Sequence, residues 1–84
     1  MRTRCSQAVS HIRVARDFAR QRFPFLCRIN IKEACAQIAH LLAEEDYSAA
    51  AFSAARRLYR AASAVAKSAG SDVGLFRPRG RAVL

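Results

Sequence analysis

Eighty-four residues, 52% of them apolar, make one small domain and leave no room for a second or for a large catalytic cleft. The net charge is +9, and 13 of the 15 cations are arginine, which directs the chain toward a polyanion or an acidic protein face. Three cysteines form no Cys-x-x-Cys pair, which argues against a disulfide framework or a zinc cluster, and no apolar run approaches the length of a membrane span.

The first predicted element is a helix over residues 6–22. At about 100° per residue, Ala8, Ile12, Ala15, Phe18 and Ala19 share one arc. Arg13, Arg16 and Arg20 fall on the adjoining arc at steps of three and four, so their guanidinium groups line one edge. Pro24 ends this helix, because proline disfavours helical geometry in the residue before it. Residues 1–28 also have the Arg-rich, Ser-containing, acid-poor character of a mitochondrial targeting segment. A cytoplasmic location is the expected one, with mitochondrial import the alternative.

Phe23 to Ile29 reads as an apolar connector, too short and too broken by Pro24 for a core strand, lying over the helices as a lid. A second helix is predicted over 31–45. Asn30 and Glu33 stand in the N-cap and N3 relation of a capping box, with Asn in place of Ser or Thr. Ile31, Ala34, Cys35, Ile38, Leu41 and Leu42 form its apolar face, with Lys32, Ala36, His40 and Ala43 opposite.

Asp46 is the expected cap of a third helix over 47–68, which Gly70 stops. Tyr47, Ala51, Ala54, Leu58, Ala61 and Val65 repeat like a short heptad seam. Phe52, Ala55, Tyr59, Ala62 and Ala66 make a second stripe. Arg56, Arg57, Arg60 and Lys67 take the remaining face. Ile38 to Ala62, with Asp46, Tyr47 and Ala50 at its turn, resembles the helix–turn–helix of a tetratricopeptide repeat. Ile38 and Arg57 depart from that pattern, and there is no second copy. The resemblance implies an antiparallel αα-hairpin.

Residues 70–84 read as a flexible basic tail after a helical domain at 1–69. Arg77-Pro78-Arg79-Gly80-Arg81 resembles the core of an AT-hook, with Ala82 where the family core continues with Pro. The resemblance implies Arg77, Arg79 and Arg81 against a narrow minor groove, where glycine allows close approach and guanidinium meets enhanced negative potential.

Enzyme chemistry has little foothold. Glycine occurs only at 70, 74 and 80, so there is no phosphate-binding loop in the helical region. Adjacent Glu44, Glu45 and Asp46 are explained by helix capping, and His11 and His40 lack evident partners. Cys35 and His40 are five apart on a helix and cannot chelate one ion. No metal or cofactor is expected.

The expectation is therefore an all-α, three-helix protein with a helical hairpin and a basic tail. It would bind nucleic acid non-enzymatically through phosphates, as an accessory or regulatory factor. Arg13, Arg16, Arg20, Arg56, Arg57 and Arg60 would make the contacts, with Arg77, Arg79 and Arg81 as a clamp. The alternative is a helical adaptor or inhibitor, of the kind bacteria, phages and plasmids encode, docking on an acidic or helical face of a larger complex. Phe23, Phe25, Leu26, Phe52 and Tyr59 would then make the contact. A homodimer is compatible with either.

Overall fold

The computed structural model describes residues 1–70. The tail at 71–84, with Arg77, Arg79 and Arg81, lies outside the described residues. Three helices make up the rest: α1 (Arg2–Arg20), α2 (Pro24–Glu44) and α3 (Ala49–Ser68). The chain is all-α, as its periodicity indicates.

The helix boundaries depart from the periodicity in instructive ways. Residues 23–29 are no lid: from Pro24 onward they are the first turn and a half of α2. Proline at the first helical position lacks only an N–H that would have no intrahelical partner. Pro24 thus separates α1 from α2 and also opens α2. Asn30 consequently lies inside a helix and caps nothing. Its Nδ2 donates to the Leu26 carbonyl at 2.9 Å, and its Oδ1 lies 3.2 Å from His11 Nδ1 on α1. Asp46 is likewise not the cap of α3. That position belongs to Ser48, whose Oγ accepts from the Ala51 N–H at 3.2 Å.

Two left-handed residues explain where α1 and α2 stop. Arg22 has φ 66° and Asp46 has φ 50°, values that favour glycine. Behind Arg22, the Phe23 N–H donates to the Phe18 carbonyl at 2.9 Å and the Arg22 N–H to Ala19 at 3.2 Å. This is a Schellman closure, and its usual apolar contact is present as an edge-to-face pair of Phe18 and Phe23, 6.2 Å between centroids. Asp46 repeats the arrangement, with the Tyr47 N–H donating to Leu42 at 2.8 Å. Tyr47 is left-handed too, at φ 55°. The third stop is Gly70, at φ 102°, where the composition places it.

These turns fold the chain as two consecutive antiparallel pairs. Arg4 reaches Gln37 and Glu44, His11 reaches Asn30, and Phe18 reaches Phe23, so α1 and α2 run against each other along their length. α2 and α3 form the expected hairpin, and α3 also contacts α1. The core holds Ile12, Ile31, Ile38, Leu41, Leu58 and Val65 with Cys27 and a series of alanines. Alanine allows close helix approach, and every buried side chain among the described residues is apolar. The second α3 stripe divides: Ala55, Ala62 and Ala66 are buried, whereas Phe52 and Tyr59 are exposed. No helix among the described residues is long and apolar enough to cross a membrane.

Candidate nucleic-acid interface

α1 and α3 leave an open groove of about 500 Å³ between them. Its walls and floor are Ile12, Ala19, Ala61, Ala64 and Val65, with Ser68 at one end. Arg16 and Arg20 line it from the α1 side, and no carboxylate takes part in the lining. An adjoining hollow at the same end is lined by Ala19, Arg20, Arg22, Pro24, the last residue of α3, Ser68, and Ala69 and Gly70 beyond it. Three guanidinium groups therefore border one continuous depression.

The groove exists because alanine sits where larger residues would fill it. On α1, the steps from Ile12 to Arg16, Ala19 and Arg20 turn the edge of the apolar arc toward α3. On α3, Ala61 and Ala64 provide little side chain to close the gap. The C-terminal ends of α1 and α3 meet at the adjoining hollow, where Ala19 and Arg20 lie with Ser68, so the two helices run in the same direction along the groove.

The arginines expected to act together are only partly gathered. Arg13, Arg16, Arg20, Arg56, Arg57 and Arg60 are all exposed. Arg57 lies one helical turn before Ala61 and so borders the same wall, with Arg60 further out on the solvent side. Arg56 is turned about 100° from Arg57, away from α1. Phe23, Phe25 and Leu26 lie at the start of α2, and Phe52 and Tyr59 on α3; the structure does not bring the two sets into one patch with the groove. The arginine absent from the expectation is Arg22. Its place beyond the helix end, with its backbone left-handed, has no periodic signature.

Charge pairing separates structural arginines from free ones. Arg4 Nε and Nη2 donate to Glu44 Oε2 at 3.0 and 2.9 Å, and Nη1 donates to Gln37 Oε1 at 2.8 Å. That contact holds the Glu44 carboxyl below its ordinary value. The N-terminal amine pairs with Glu45 at 3.4 Å. Arg28 stacks 5.9 Å from the centre of the Phe25 ring. Among the described residues, Arg4 alone of the arginines lies within ion-pair distance of a carboxylate. Arg16, Arg20 and Arg22 remain available to an outside anion.

The remaining chemistry is sparse. Burial pushes the Cys27 and Cys35 thiols above their ordinary value, which makes them poor nucleophiles. Tyr59 is also raised, by burial first and by nearby Cys35 second. No group of three His, Cys, Asp or Glu among the described residues is placed to hold a metal ion. No family model matches the chain, and neither a curated protein nor a solved structure matches it.

Proposed function

We propose that the protein is a non-enzymatic nucleic-acid-binding accessory factor that grips the phosphate backbone along the groove between α1 and α3. One observation carries this reading: Arg16, Arg20 and Arg22 border one open depression without a carboxylate in its lining. Unpaired guanidinium groups on a firm apolar floor can fork onto phosphate oxygens at no cost in broken ion pairs. Arg57, Arg60 and Arg13 extend the positive potential on either side. Such contacts position a nucleic acid without reading its sequence.

The test is a salt titration of binding to a short DNA duplex, a single strand and an RNA hairpin. On duplex DNA the logarithm of the affinity should fall with a slope near −0.9 per phosphate engaged. Arg16→Gln with Arg20→Gln should lower that slope by about 2 and weaken binding to all sequences alike. A slope unaffected by the double substitution, or no binding at low salt, removes the proposal.

A further inference from the structure

α2 is apolar on two opposite sides. Its inner side is the core. On its outer side Phe25, Leu26 and Ile29 are 63%, 38% and 40% exposed. Leu26, Ile29, Glu33, Ala36, His40 and Ala43 recur there at alternating steps of three and four, and all six are exposed. That is the spacing of a helix seam. A helix with one solvated face normally keeps large apolar side chains off that face, and α1 and α3 leave Phe25, Leu26 and Ile29 uncovered.

Two gradients run along this outer face. The large apolar side chains, Phe25, Leu26 and Ile29, lie at its start and the small ones, Ala36 and Ala43, in its second half, with Glu33 and His40 the polar members of the seam. Charge falls in the same direction along α2 and the turn after it, from Arg28 and Lys32 to Glu44, Glu45 and Asp46, of which Glu44 and Glu45 are partly neutralised by Arg4 and the N-terminal amine. An antiparallel second copy reverses both, so Leu26 meets Ala43, Ile29 lies beside the His40 imidazole, and the basic end meets the acidic end. The helix macrodipoles then also oppose favourably. A parallel copy would set Phe against Phe, leave a gap between alanines, and place acid on acid.

We infer that the outer face of α2 is the interface of a two-fold homodimer, with the two α2 helices antiparallel and the axis passing between Glu33 and Ala36. Leu26 of each chain then lies level with Ala43 of the other. Overall charge selects this face and this partner. Each chain carries +9, yet residues 24–46 hold two cations against four carboxylates. α2 is therefore the side by which two such chains approach with least repulsion, and the side a phosphate chain avoids. An acidic protein would be drawn to the α1 and α3 arginines instead. The two grooves stay uncovered in this arrangement, and the inference stands whether or not they bind nucleic acid. Isologous pairing of one self-complementary patch is the commonest way small proteins assemble.

The experiment is a light-scattering mass of the full chain at about 0.5 M NaCl after nuclease treatment. The expected result is a two-chain mass. Ile29→Glu and Ala43→Glu, at opposite ends of the face, should each keep wild-type helical circular dichroism and weaken the dimer at least about 100-fold. Register is tested by oxidation: Ala36→Cys should cross-link to itself, while Leu26→Cys should behave as the wild-type control. A one-chain mass for the wild type overturns the proposal, as does a two-chain mass in both Glu variants or self-cross-linking through residue 26.

Discussion

Arg22 shows how one residue can be poor for the fold and useful at the surface. It occupies the left-handed position after α1, where glycine is the default, yet its side chain lines the hollow beside Arg20. A left-handed L-residue costs about 1–2 kcal/mol, part of which a glycine would give back as unfolded-state entropy. Arg22→Gly should therefore raise stability by about 0.5–1 kcal/mol in urea unfolding while weakening duplex binding. A loss of stability would show that the guanidinium supports the turn. The thiols make a second case at this scale. Cys27 is fully buried, Cys5 and Cys35 are half-buried, and burial raises both Cys27 and Cys35. A raised thiol stays protonated at pH 8 and attacks slowly. Ellman's reagent at that pH should label Cys5 first, Cys35 next, and Cys27 only as fast as the protein opens. Equal rates for all three would contradict the packing of α2 against α1.

Among the elements, the helix interiors were legible and the joints were not. Ala8, Ile12 and Ala15 on α1, and Ile31, Ala34, Ile38 and Leu41 on α2, are buried as their spacing requires. Period alone could not place the starts and stops. Pro24 reads equally as a terminator and as a first helical residue, and only tertiary packing of Cys27 and Ile31 decides for the latter. Asn30 has the chemistry of a cap, but its partner His11 is 19 positions away and invisible to a local pattern. Arg22, Asp46 and Tyr47 close helices with backbone conformations that their identities do not advertise. For the candidate groove, the Arg16 and Arg20 edge was legible from steps of four. Its pairing with Ala61 and Ala64 required the three-dimensional path of α3. Phe25, Leu26 and Ile29 read as part of a lid over the helices; their exposure on α2 followed only once Pro24 was placed as its first residue. The start of α3 gives a direct check. Ser48 is the residue whose side chain satisfies an orphan N–H, so Ser48→Ala should cost about 1 kcal/mol. Asp46→Ala should cost less than half of that cap loss. The reverse order would return the capping role to Asp46.

The described residues form a thin body and the chain is strongly charged, and both properties bear on stability. The described residues span 35 × 32 × 15 Å, so the core is about one layer of side chains deep. Ile31, Ile38 and Leu41 are its largest fully buried groups, among many alanines. Ile38→Ala should cost about 2–5 kcal/mol, a large share of the roughly 5–15 kcal/mol typical of a folded domain. A loss under about 1 kcal/mol in urea unfolding would mean that the site is not packed. Charge acts in the opposite sense to packing. Fifteen cations face six carboxylates, and two of those, Glu44 and Glu45, are held by Arg4 and the N-terminal amine. Among the described residues the remaining arginines repel one another in the compact state, and that repulsion reaches about one Debye length, roughly 10 Å at 0.1 M salt. Raising NaCl from about 20 mM to 500 mM screens it and also screens the weaker surface ion pairs. Because unpaired cations outnumber paired ones among the described residues, the repulsive contribution is the larger, and Tm should rise by several degrees at fixed protein concentration. Under the proposed function, nucleic-acid affinity should fall over the same range, since the same guanidinium groups would attract phosphate. Stability and binding must therefore respond to salt with opposite signs. A Tm that falls as salt rises would place the Arg4–Glu44 clasp above the net charge as the dominant electrostatic influence on this fold.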